Sequence, residues 1–156
     1  MGRTQQLRGL GFDPGKVNCA YAVWHHDHVE ETDVIEGIDD VVRLPEFTSQ
    51  VARIIKWFSP DVVGIERYQL RRGTGFVGNM ELVNIMIGVV CGLCSRKKIP
   101  VHLVLAATHK KWAGDHHGAE QVKGKLNMQT CPDLRHLKTE HEADAANVIR
   151  YVMSRL

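Results

Sequence analysis

The feature that most narrows what this chain can fold into is a change of hydrophobic period near residue 40. Ahead of it lie three short strand candidates, the apolar run RGLGFD (8–13), then CAYAVW (19–24) and HVEETDVIEG (28–37). Pro14-Gly15 turns the chain after the first, and HHDH sits around a hairpin between the other two. Beyond it, Phe47, Val51, Ile54, Ile55 and Phe58 recur at helical spacing, which predicts a helix ending near Ser59-Pro60. DVVGIE (61–66) is a bounded apolar run of strand length, followed by the basic, glycine-rich stretch RYQLRRGTGFVGN and a largely apolar helix from about Met80 to Ser95. VHLVLA (101–106) reads as the last strand; a polar, lysine-bearing region then leads to a helix from about Glu140 to Ser154. The order β-β-β-α-β-α-β-α predicts an α/β fold, a mixed sheet whose early strands form a meander and whose faces carry helices. The runs at 8–13, 61–66 and 101–106 are expected to be parallel, and right-handed crossovers make the first two neighbours.

At 156 residues, with 24% charged residues, the sequence suits one globular domain spanning 1–156. MGRTQQLRGL lacks an apolar signal-peptide core, so Cys19, Cys91, Cys94 and Cys131 are read as reduced thiols of a cytoplasmic protein. LVNIMIGVVCGLC (82–94) is too short to span a bilayer and is read as a buried helix or a subunit interface, with no membrane partner. Net charge is only +2, but its distribution is uneven. Asp27 to Glu46 carries eight acids against Arg43 alone, whereas Leu82 to Gly114 has no acid and contains Arg96, Lys97, Lys98, Lys110 and Lys111. That stretch, extended by Lys123 and Lys125, predicts a basic surface able to hold a polyanion, although a solvated lysine face explains the pattern about as well.

Asp13 and Glu66 each close an apolar strand at its C-terminal end, where open α/β sheets place their sites. TEHEADAANVI (139–149) starts the final helix, and Thr139 with Glu142 has the spacing of a capping box. If the first turn of that helix lies over the strand ends, it adds Asp144, and with it either His141 or Glu140, since both pairs share a helix face. Clustered carboxylates repel unless hard divalent cations such as magnesium offset them. Two such ions can hold a phosphodiester and activate water for in-line displacement.

LGFDPG (10–15), VGIE (63–66) and HEADAA (141–146) together resemble the marks of Holliday-junction resolvases of the RuvC type, within the RNase H-like (retroviral integrase) superfamily. The resemblance covers nearly the whole chain in order and spacing. It implies an RNase H-like fold, a mixed five-stranded sheet with its first three strands antiparallel and helices at its flanks. It implies a magnesium-dependent endodeoxyribonuclease, with manganese as a substitute, holding two ions per site. Its substrate is then branched DNA, a four-way junction nicked in recombination and repair by a homodimer formed through helix 80–95. Helicase or recombination proteins are its expected partners, and its place is the nucleoid or, for a phage-encoded chain, the host cytoplasm. Carried over by position, the metal-holding and catalytic residues are Asp13, Glu66, His141 and Asp144, with Glu142 left to the cap and Glu140 as an outer-shell group. Lys110 or Lys111 of THKKWAG resembles the family's lysines at the scissile phosphate, and Lys123 stands second. Relatives often place an aromatic residue three positions after the strand glutamate; this chain has Gln69 there, with Tyr68 beside it. Arg67, Arg71 and Arg72 are expected on phosphates and Tyr68 or Phe76 against a base.

Other signals are weaker. GTGFVG (73–78) has the G-x-G-x-x-G spacing, but no acid occurs between Glu81 and Asp115 where a dinucleotide fold needs one. Cys91 and Cys94 have zinc-like spacing without a second pair. Three other functions are open from the residues: an RNase H-like nuclease for RNA/DNA hybrids, RNA ends or other branched DNA; an actin-like ATP-binding domain; and a non-catalytic nucleic-acid binder. The length tells against the second and the intact acid set against the third.

Overall fold

The computed structural model describes residues 6–15, 17–67 and 77–156. Its main sheet is built from β1 (Gly9–Pro14), β2 (Asn18–His25), β3 (His28–Glu36), β4 (Val62–Arg67) and β5 (Val101–Leu105). The strands lie in the order β3-β2-β1-β4-β5. The pairs β1/β2 and β2/β3 are antiparallel, while β1/β4 and β4/β5 are parallel. The meander and the adjacency of the first and fourth strands are therefore as expected. His26 and Asp27 both have positive φ, the backbone that a two-residue hairpin turn needs to match strand twist.

One face of the sheet is covered by α1 (Leu44–Phe58) and α2 (Val77–Arg96). Leu10, Phe12, Val63 and Ile65 meet Phe47, Val51, Ile55, Val83, Met86 and Val90 there in the larger apolar cluster. Strand alternation sends the intervening residues to the other face, which is covered by α4 (Glu140–Met153). On that side Ala20, Ala22 and Trp24 of β2, with Val62 of β4, meet Ala143, Ala145, Ala146, Val148 and Ile149. The small side chains are required by close approach. A Cβ on Gly11 would stand 2.0 Å from the Ala145 carbonyl oxygen, and one on Gly64 would stand 3.1 Å from Val152 Cγ2. Gly11 and Gly64 are register partners on β1 and β4, so together they form a trough in which α4 lies.

The apolar helix is less buried than its composition implies. Val83, Met86, Ile87, Val90 and Cys94 are buried in α2, but Asn84, Gly88 and Gly92 are exposed and Ile85 and Val89 only half covered. Among the described residues no helix is long and apolar enough to cross a membrane, and all four cysteines are free. The polar, lysine-bearing region after β5 contains two elements with no counterpart in the sequence pattern: α3 (Ala106–His117), and a small hairpin of β6 (Gln121–Val122) and β7 (Lys125–Leu126). α3 escapes a periodicity argument because His109 and Lys110, polar residues, occupy its inner face beside Ala113. Its end was marked, though, by Gly118, whose φ of +65° suits a helix-terminating glycine after His116 and His117.

Candidate active site

The same alternation that turns Leu10 and Phe12 into the core places Gly11 and Asp13 on the α4 side of β1, and Gly64 and Glu66 on the α4 side of β4. Each acid thus stands two residues beyond a trough glycine, and α4 enters the trough from the acidic end. Its start is fixed by the capping box. Thr139 Oγ1 accepts from the Glu142 N–H at 3.1 Å, and the Thr139 N–H donates to Glu142 Oε2 at 2.8 Å. Thr32 Oγ1 of β3 donates to the other Glu142 oxygen at 2.7 Å, which ties the cap to the sheet. Glu142 therefore has the capping role expected of it.

From this anchored turn His141 and Asp144 reach the strand ends. His141 Nδ1 lies 2.8 Å from Asp13 Oδ2, and because an ionised carboxylate only accepts, the Nδ1–H donates. Asp13, Glu66 and Asp144 are all buried, whereas the His141 side chain is 46% exposed. The structure thus brings Asp13, Glu66, His141 and Asp144 to one place. It adds two groups from α3. Lys110 Nζ lies 2.9 Å from Asp144 Oδ2 in a buried ion pair, and it also reaches the Gly124 carbonyl in the β6–β7 turn at 3.4 Å. His109, fully buried, lies with Nε2 2.6 Å from Glu66 Oε2. His109 was not among the residues picked out from the sequence; a lone histidine in a polar stretch carries no spacing signal.

The remaining candidates divide. Lys111 points outward and pairs with Asp115 at 2.5 Å, and Glu140 pairs with Lys125 of β7. Lys123 is exposed in the turn whose next residue, Gly124, touches Lys110. Arg67 is exposed at the end of β4 and lines a groove of about 510 Å³ along the free edge of β5, together with His102, Thr108, Tyr151 and Arg155. Tyr68, Arg71, Arg72 and Phe76, with Gln69, lie outside the described residues.

The electrostatics are those of charges held together at a cost. Burial raises the Asp144 carboxyl to about 7, with Glu66 adding to the rise against the pull of Lys110. Burial likewise raises Asp13, opposed by its hydrogen bond from His141 and reinforced by Glu66. Glu66 is also pushed up by burial, but the hydrogen bond from His109 and the charge of Lys110 outweigh this and leave it below its ordinary value. The bond to Asp13 raises His141 against its partial burial. Lys110 is raised as well, burial being overcome by Asp144 and Glu66. In effect the Lys110 ammonium sits where a cluster of carboxylates calls for a cation.

The donor set fits a hard divalent ion. Atoms of Glu66, His109 and Asp144 with the chemistry of metal ligands all lie within 4.8 Å of one another, and Asp144 Oδ1 is buried with no hydrogen-bond partner. An oxygen left bare inside a protein is costly unless something binds it, and carboxylate oxygens are what magnesium or manganese takes.

No protein-family model matches the chain. A crossover junction endodeoxyribonuclease RuvC from Caldanaerobacter subterraneus subsp. tengcongensis is 24% identical over 152 residues, covering 91% of this chain and 89% of the relative. Among solved structures, Thermus thermophilus RuvC in complex with a Holliday junction substrate superposes with a TM-score of 0.71 at 18% identity, covering 92% of this chain and 90% of that one. The yeast mitochondrial Holliday junction resolvase superposes with a TM-score of 0.60 at 18% identity, covering 90% and 75%. The chain shares its fold with these RuvC-type resolvases, and the resemblance to them extends over about nine-tenths of its length.

Proposed function

We propose that this chain is a structure-selective endodeoxyribonuclease that resolves four-way DNA junctions by metal-dependent hydrolysis of phosphodiester bonds. The observation that carries the reading is the convergence of Asp13, Glu66 and Asp144, three carboxylates from three separate elements, with His141 at their rim. The relatives that share this fold are junction nucleases by name, and the likeness spans nine-tenths of the chain.

Asp13, Glu66 and Asp144 would hold the metal, with His141 beside them, and the metal when bound neutralises the carboxylates and polarises the phosphate and the attacking water. The protein's own groups account for the rest. His141 keeps Nδ1–H on Asp13, so Nε2 of its half-exposed ring is the nitrogen left to exchange a proton with water or the departing oxygen. Water oxygen bonds to phosphorus, the bond from phosphorus to the sugar oxygen breaks, and the departing oxygen takes a proton. Lys110 is placed to steady the extra negative charge of that transition state. Arg67 beside the β5 groove, and Lys123 in the β6–β7 turn, would contact phosphates of the DNA arms.

A four-way junction has two symmetric strands to cut, and α2 offers a surface for pairing two chains. Gly88 and Gly92, one turn apart, have open space around them, and Ile85 and Val89 on the same side are only half covered. We read this face as the homodimer contact. The experiment uses the protein with Mg2+ and a synthetic four-way junction, a linear duplex and an RNA/DNA hybrid, beside Asp13→Asn. Paired symmetric nicks in the junction, absent in the variant, are expected. Cutting of the hybrid alone, or of nothing, defeats the proposal.

A further inference from the structure

A closed chain of buried polar groups runs beneath the carboxylates and decides what His109 can do. It begins at Arg150, whose guanidinium is buried between the rings of Trp24 and Trp112, 5.6 and 5.5 Å from their centroids, and is held by Asp133 at 3.3 Å. Arginine carries only donors. Its Nη2 lies 3.0 Å from the Asn147 side chain, so the atom it meets there is the carbonyl oxygen Oδ1. The amide nitrogen of Asn147 must then face the other way. It does so toward His109, donating one hydrogen to the His109 carbonyl at 2.9 Å and the other to ring Nδ1 at 2.8 Å. Nδ1 is therefore the bare, accepting nitrogen, and the ring proton resides on Nε2, 2.6 Å from Glu66 Oε2. His109 and Asn147 are both fully buried, so bulk solvent does not reach the ring to reverse the arrangement.

We propose that His109 is a positioning residue, a fixed Nε2–H donor that orients the Glu66 carboxylate and leaves Oε1 for the metal, and is not itself a ligand. The inference rests on the metal-site reading above. Proximity alone places His109 among the groups able to surround an ion. For Nε2 to ligate, however, it must lose its proton, and a neutral ring would then carry that proton on Nδ1, pressed against the donating amide of Asn147. Donor would face donor in a dry interior, which is costly. Asn147 and Arg150 thereby set, from the far side of α4, which way a carboxylate on β4 presents its oxygens.

Long-range proton–nitrogen NMR of the histidine rings in the intact protein at neutral pH tests this. Nε2 of His109 should be protonated and Nδ1 bare, both without metal and with saturating Mg2+. A proton on Nδ1, or loss of the Nε2 proton as Mg2+ is added, overturns the inference without recourse to a variant. Mn2+ affinity followed by electron paramagnetic resonance supplies the second arm. His109→Leu should weaken Mn2+ binding by roughly 10- to 100-fold, as removal of a supporting hydrogen bond does elsewhere. His109→Gln, which keeps an N–H donor at similar reach, should recover most of that loss. Equal affinity in parent and His109→Leu, or equal loss in both variants, overturns it. A parent that binds no Mn2+ overturns the metal-site reading together with this inference, and is told apart from failure of the inference alone, in which the parent binds but the tautomer is reversed.

Discussion

Gly11 on β1 and Ala145 on α4 are so close that a Cβ on the glycine would come within 2.0 Å of the alanine carbonyl oxygen. This approach seats α4 in the sheet and carries Asp144 to Asp13 and Glu66. Gly11→Ala should therefore push the helix out, costing about 2–3 kcal/mol or more by overpacking and abolishing nicking. Gly64→Ala meets a movable Val152 methyl at 3.1 Å and should cost less. Thermal unfolding of both variants beside their nicking rates checks the order.

Asp13→Asn, Glu66→Gln and Asp144→Asn each remove one metal-facing charge. Each should lower the nicking rate about a thousandfold or more, equivalent to ~4 kcal/mol of lost transition-state stabilisation. Binding of the junction, measured by gel shift, should survive, since phosphate contacts supply most of that affinity.

Lys110 and Lys111 are neighbours in sequence with opposite fates. Lys110 is buried against Asp144, so Lys110→Met leaves buried carboxylates unpaired and should destabilise the metal-free protein by about 3 kcal/mol. Mg2+ should restore much of that loss. Lys111 is 76% exposed, and Lys111→Met should leave the melting temperature unchanged.

The Asp144 carboxyl, raised to about 7 in the metal-free fold, gives a pH dependence of definite sign. In the unfolded chain it titrates near 3.9, so the folded state favours the protonated form. That contribution is fully present below the unfolded value and is lost as pH rises toward and through about 7. Mg2+ favours the ionised form and should raise the melting temperature more at pH 8 than at pH 5.5. Asp144→Asn should flatten this difference. A Mg2+ effect independent of pH would contradict it.

Ile85→Glu places a charge on the half-covered face of α2. The parent should sediment as a dimer and this variant as a single chain, with paired nicking replaced by isolated nicks. A parent that sediments as one chain at micromolar concentration removes the dimer proposal.

Much of this was legible in the residues. The meander, the parallel core strands and the acids closing β1 and β4 follow from alternation and from turn formers, which are local properties. The cap at Thr139 and Glu142 was legible for the same reason. A further local signal is shared by Gly11-Phe12-Asp13 and Gly64-Ile65-Glu66, a trough glycine followed two residues later by an acid on the same face.

Other features required the folded chain. α3 has no apolar stripe because its inner face turns polar groups toward buried carboxylates. The choice between Lys110 and Lys111 is made by helix rotation, one residue turning in and the next out. Glu140 pairs with Lys125 of a hairpin that no local pattern marks.

The sequence by itself determined the order of the five sheet strands with α1, α2 and α4, and the four acid and histidine candidates, because period and chain order are carried by neighbouring residues. Only the tertiary structure decided that Asp144 shares its site with Lys110, and that Glu66 is held by His109, Asn147 and Arg150 in turn. Those partners lie far apart along the chain, and hydrogen-bond donors and acceptors become exclusive only where burial removes the water that would otherwise satisfy them.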